Sequence, residues 1–134
     1  MASPISSGKP NKAQAKGFTF IELAVVMAIL SLLLSIALPR YFDGLKRAKE
    51  AVLHEDLATM RTAIDHFHAD KGMYPASLDD LVSYRYLRAI PVDPITERAD
   101  TWLIITPPDY SQRVYDLHSG SNEIASDGTP YNVW

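Results

Sequence analysis

Residues Phe18 to Leu38 form a run of apolar and small residues whose single charge is Glu22. Lys16-Gly17 stands just before the run and Pro39 just after it. At the rise of an α-helix the run reaches about 31 Å, enough to cross the hydrocarbon core of a bilayer. A carboxylate near the bilayer centre costs roughly 2.5–3.5 kcal/mol even on lenient insertion scales. A neutral residue would avoid that cost. Glu22 therefore requires a partner that lipid does not supply.

The 134 residues read as one domain. Once the apolar run is set aside, roughly a hundred residues remain, enough for a small core but not for a large enclosed active site. No cysteine is present, so disulfides and thiolate metal sites are unavailable. Of the 13 Lys and Arg, Lys9, Lys12 and Lys16 precede the run, and the remainder carries 10 against 16 Asp and Glu, a net of −6. Phosphate neutralisation needs clustered Lys and Arg, so nucleic acid is not an expected partner. Residues 1–17, rich in Ser, Lys, Pro and Ala, read as an unstructured leader.

A secretory signal peptide is usually shorter than this run and ends in small residues of the A-x-A kind. Ser35-Ile36-Ala37-Leu38 is a poor site of that type. The lysines before the run favour a cytoplasmic N-terminus. Arg40, Lys46, Arg47 and Lys49 make the other flank basic as well and weaken that inference.

Lys16-Gly17-Phe18-Thr19-Phe20-Ile21-Glu22-Leu23 resembles the cleavage and methylation motif of type IV pilins and type II secretion pseudopilins. The usual motif is a glycine followed by F-T-L-I-E-L, and Phe20 replaces the commoner leucine. The resemblance implies that a prepilin peptidase cuts between Gly17 and Phe18, on the cytoplasmic side, and N-methylates Phe18. It also implies a homopolymeric helical filament, built with an inner-membrane assembly platform and minor pseudopilins. The chain would cross the bacterial inner membrane once, N-terminus cytoplasmic, and enter a periplasmic or extracellular fibre. Cleavage would create an amine on Phe18 at the edge of the apolar zone. Opposite charges attract strongly in low dielectric, whereas each alone is penalised. The amine of one subunit meeting Glu22 of a neighbour would remove both penalties and set axial register. An intrachain pair across one turn is the alternative, and it carries no assembly role.

Helical signal continues past the run. Leu45, Ala48, Val52, Leu53, Leu57, Met60, Ile64 and Phe67 recur at spacings of three and four, with charges mostly between them. Gly72 is a natural stop, with Pro75 just beyond. The expected helix runs from Phe18 to about Lys71, kinked at Pro39, which removes one backbone donor. In assembled fibres of similar pilins the helix upstream of such a proline can lose order, here Ser31 to Leu38.

Beyond Gly72, Ser77 and Asp80 have the spacing of a capping box for a short helix to about Tyr86. Asp79-Asp80 fits a helix first turn better than an acid/base pair. Ile90-Pro91-Val92-Asp93-Pro94 reads as a rigid connector. Residues 101–106 and 112–117 read as two strands joined by a turn at Pro107, Pro108, Asp109 and Tyr110. The expected fold is α+β and pilin-like, a long N-terminal helix packed on a small antiparallel sheet. Its divisions are a removable leader (1–17), a membrane and fibre-core helix (18–38), an amphipathic half-helix (39–71) and a small globular region (72–134).

Gly72-Met73-Tyr74-Pro75, Asp93-Pro94 and Trp134 resemble the layout of the major type II pseudopilin. That family usually follows its D-P with an aromatic and a glycine, where Ile95-Thr96 stand here. Adhesive and motility pilins usually close their C-terminal region with a disulfide, and the lack of cysteine favours the secretion branch. A loop at residues 119–127 binds calcium in major pseudopilins. The resemblance makes Glu123 and Asp127, helped by Asn122 and Ser119, candidate ligands. Without an ion the same residues form an ordinary polar turn.

His66, His68 and Asp70 form an H-x-H-x-D, but on a helix i and i+2 point about 200° apart and cannot share a metal. His54 and His118 are isolated. No G-x-S-x-G, phosphate loop or H-E-x-x-H is present, so no enzyme is expected. The leading reading is the major pseudopilin of a type II secretion system. The alternative is a type IV pilin of a surface fibre for adhesion, motility or DNA uptake, the last opposed by the acidic remainder.

Overall fold

The computed structural model describes residues 1–11, 16–109 and 111–134. Lys12 of the leader and Tyr110 of the expected turn lie outside the described residues. The chain divides into two compact units, Met1–Pro39 and Arg40–Trp134.

In the first unit, the described residues before Phe20 form no helix or strand. Helix α1 spans Phe20–Lys71 and includes Pro39. It begins two residues later than expected because Thr19 caps it. Thr19 Oγ1 accepts the Glu22 N–H at 3.2 Å, and Glu22 Oε2 accepts the Thr19 N–H at 3.5 Å. This reciprocal capping box satisfies two of the orphan donors of the first turn. Residues 31–38 are helical throughout. The hydroxyls of Ser31 and Ser35 bond within the helix, to Met27 O and Leu32 O, both at 2.7 Å.

The second unit is built on the part of α1 beyond Pro39. Leu53, Leu57, Met60, Ile64 and Phe67 are buried, as their spacing requires, and Ala63 joins them. Leu45, Ala48 and Val52 are exposed, a correction to the expected stripe. The position one turn before Leu53 is filled instead by Glu50, which is buried. Gly72 ends α1 at φ +69°, in the left-handed region open to glycine, and its N–H reaches His68 O at 2.9 Å.

Helix α2 spans Leu78–Ser83, shorter than expected. Ser77 sits at its N-cap but makes no side-chain capping bond. Asp80 Oδ2 instead accepts the Ala76 N–H at 3.0 Å. Strands β1 (Leu103–Ile105) and β2 (Asp116–His118) pair antiparallel, with Ile104 opposite Leu117. Both are shorter than expected, and β2 starts four residues late. Arg113 and Val114 serve the Gly72–Pro75 turn rather than the ladder: Val114 N–H reaches Pro75 O and Arg113 Nη1 reaches Tyr74 O, each at 2.8 Å. A 3₁₀ turn, Tyr131–Val133, closes the fold. Leu81, Leu87, Trp102, Val114, Leu117, Ala125 and Tyr131 complete one core against α1. The α+β class, a long helix on a small two-stranded antiparallel sheet, is as the sequence implies.

Candidate functional site

The first site lies at the start of α1. Gly17 and Phe18 precede the helix in irregular, exposed backbone, the form a peptidase requires of a scissile bond. Glu22 occupies the third helical position and holds the Thr19 N–H. A carboxylate there also faces the positive end of the helix dipole. These two effects offset part of its desolvation cost while the chain is alone. The T-x-x-E spacing of Thr19 and Glu22 is the sequence signal of this capping box.

The side chains downstream face outward. Phe20, Ile21, Leu23, Val25, Val26, Met27 and Ile29 are all exposed. Among the described residues, α1 is the one helix long and apolar enough to cross a membrane. So large an apolar surface requires lipid or protein around it.

The second site is the loop at 119–127. Ser119 is fully buried, and its Oγ donates to Asp93 Oδ2 at 2.6 Å. Gly120 N–H donates to the same oxygen at 3.3 Å. Asp93, also fully buried, closes its own turn by accepting Ile95 N–H at 2.8 Å and Thr96 N–H at 3.4 Å. Asn122 Oδ1 accepts Asn132 Nδ2–H at 2.9 Å. Asp127 Oδ1 accepts the Thr129 N–H at 2.9 Å and the Thr129 hydroxyl at 2.5 Å. Those bonds hold the Asp127 carboxyl below its ordinary pKa. Glu123 is exposed and Ser119 is buried, so the four candidate ligands are spread from surface to core.

Glu50 completes this region from α1. Its Oε1 accepts Ser126 N–H at 2.7 Å, Ser126 Oγ–H at 2.9 Å and Tyr131 Oη–H at 2.8 Å. Burial pushes the Glu50 carboxyl up, but these bonds and nearby Lys46 bring it below the ordinary value. Glu50 extends the 53-57-60-64-67 pattern back by one turn, which is the sequence signal that it faces the core. Arg61, half-buried on the same helix, donates to Asp116 Oδ1 at 2.8 Å, Leu117 O at 2.9 Å and Trp134 O at 2.6 Å.

The histidines do not converge. His68 stacks on Tyr74 and His54 on Trp134, while Asp70 accepts the Tyr86 hydroxyl at 2.7 Å. Among the described residues no three His, Asp or Glu are grouped to hold a metal.

The model for the prokaryotic N-terminal methylation motif matches residues 12–38. Type II secretion system core protein G of Aeromonas hydrophila is 30% identical over 99 residues, covering 62% of this chain and 69% of the relative. The protein of that name from Pseudomonas aeruginosa is also 30% identical, covering 62% and 70%. Fimbrial protein EcpC of Eikenella corrodens is 38% identical over 65 residues, and the chain spans only 42% of that relative's length. No solved structure matches. An apolar α1 opening on a methylation motif, carried by a small α+β unit, defines a pilin-like protein. The chain belongs to the prepilin-motif family that includes type II secretion system core protein G.

Proposed function

We propose that this chain is a structural fibre subunit, the major pseudopilin of a type II secretion system, polymerising in the periplasm to drive protein export. The observation that carries the reading is Glu22 at the capped start of an exposed apolar helix, five residues after Gly17. A prepilin peptidase removes residues 1–17 and methylates the Phe18 amine. Residues 18–38 hold the subunit in the inner membrane until it joins the fibre, with the globular unit outside.

Before assembly, Glu22 is compensated by the Thr19 N–H and the helix dipole. In the fibre the Phe18 amine of a second copy supplies a full opposite charge in low dielectric. The gain exists only when two copies sit at one axial offset, so the pair sets register as well as affinity. The fibre is completed with an inner-membrane assembly platform and minor pseudopilins.

A surface type IV pilin is the second reading, favoured by the match to Fimbrial protein EcpC. The lack of cysteine supports the secretion branch over it, and the acidic remainder opposes its DNA-uptake form.

The test is an intact mass of the membrane-extracted protein produced with and without a prepilin peptidase. Loss of residues 1–17 and gain of one methyl are expected with the enzyme. A full-length mass under both conditions would overturn the reading.

A further inference from the structure

We infer that the C-terminal loop of this chain is locked to the fold by two buried carboxylates, Glu50 and Asp93, and is held without calcium. A calcium site gathers six to eight oxygen lone pairs around one point. The inner side of this loop presents the opposite chemistry. Ser119 Oγ–H and Gly120 N–H point at Asp93, and Ser126 N–H and Oγ–H point at Glu50. A loop that aims donors inward is built around anions, and both anions come from outside it, one from α1 and one from the connector.

Several of the loop's own acceptors are engaged elsewhere. Asp127 closes the turn to Thr129, Asn122 holds Asn132, and the Glu123 carbonyl accepts the Tyr131 N–H at 3.0 Å. The Ala125 carbonyl accepts the Gly128 N–H at 3.0 Å. Turning these groups onto one cation would break the hydrogen bonds that shape the loop.

Each buried carboxylate gathers several donors. Glu50 takes three donors on one oxygen, and Asp93 takes Ser119 and Gly120 on one oxygen and the Ile95 and Thr96 amides on the other. A buried carboxylate with that many donors stabilises its surroundings instead of requiring a counter-ion. Gly120 makes the approach possible, because a Cβ there would lie 1.9 Å from the Thr101 carbonyl oxygen. The inference concerns the stability of the globular unit and stands whether or not the chain forms a fibre.

The experiment is thermal unfolding of the full chain in detergent, followed by tryptophan fluorescence in excess EDTA and again in millimolar calcium. Equal midpoints are expected in the two buffers. Glu50→Gln and Asp93→Asn each lower the midpoint by at least about 4 °C, with no recovery on adding calcium. The double variant Glu123→Gln/Asp127→Asn has the same midpoint in both buffers, whatever the turn to Thr129 loses by the change. Isothermal titration of calcium into the unmutated chain decides the matter even if Asp93→Asn fails to fold. Saturable binding that the Glu123/Asp127 variant abolishes would overturn the inference. So would unaltered midpoints for both Glu50→Gln and Asp93→Asn.

Discussion

Glu50 Oε1 accepts the hydroxyl of Tyr131 at 2.8 Å, joining α1 to the closing 3₁₀ turn across 81 positions of sequence. Both residues are buried. Burial and the facing carboxylate push the Tyr131 phenol well above its ordinary pKa, so it remains a donor at any physiological pH. The bond is charge-assisted and shares its acceptor with two donors from Ser126. The position on α1 that would otherwise continue the apolar stripe thus becomes the anchor of the C-terminal region.

Replacing Glu50 by Gln keeps its shape and removes its charge. The loss at neutral pH is expected to be about 1–3 kcal/mol, measured by urea unfolding of the detergent-solubilised chain. The folded pKa of Glu50 lies below the ordinary 4.5. Its stabilisation is therefore fully present above the unfolded value and lost as pH falls through the folded one. The gap between wild type and Glu50→Gln should close on acidification from neutral pH to below 4.5. A gap that stays constant would show that shape, not charge, is what Glu50 supplies.

Gly120→Ala places a methyl group 1.9 Å from the Thr101 oxygen, a backbone atom that cannot swing away. The strand-to-loop junction must shift, at about 1–3 kcal/mol or more. Gly128→Ala meets no atom within 4 Å but sits at φ +85°, so it should cost less, about 1 kcal/mol. Urea midpoints of the two variants in the reverse order would contradict this account.

Arg61 reaches Asp116, the Leu117 carbonyl and the Trp134 main-chain oxygen from one guanidinium. Arg61→Met preserves the apolar stem but removes all three bonds, with an expected loss of about 1.5–3 kcal/mol. Arg61→Lys should recover less than half of it, since an ammonium cannot reproduce the fork. Full recovery by lysine would mean that only the charge matters. Trp134, stacked on His54 with ring centroids 4.2 Å apart, supplies a local fluorescence readout.

Glu22→Ala removes the embedded charge and one half of the capping box. Membrane insertion should be unchanged or improved, by up to roughly 3 kcal/mol on insertion scales. The yield of polymer cross-linked in whole cells should fall severely. Thr19→Ala separates the two roles: it breaks the cap but leaves Glu22 free to meet a neighbouring amine, so fibres should persist. Normal fibre yield from Glu22→Ala would remove the intersubunit pairing from the mechanism.

Gly17→Ala should leave a full-length chain in the membrane, visible as an unshifted band in immunoblots. Ordinary maturation of that variant would exclude cleavage after Gly17.

The long helix was legible because its information is local. Apolar spacing from Leu53 to Phe67, the left-handed stop at Gly72 and the apolar run before Pro39 each act within a few residues. The prepilin motif was legible for the same reason, as eight contiguous residues. Strand limits were not, because Arg113 and Val114 could bond either to β1 or to the Tyr74-Pro75 turn, and three-dimensional proximity made the choice. Nor could sequence assign the long-range partners of Glu50, Asp93 and Arg61, which lie 26 to 81 positions away. By itself the sequence determined an apolar anchor carrying one acid, an amphipathic helix and a small α+β unit, since helical periodicity and a membrane's thickness act on short segments. Only the tertiary structure decided how the C-terminal loop is held. A buried carboxylate is stable where its donors converge, and that convergence exists only once distant segments have packed.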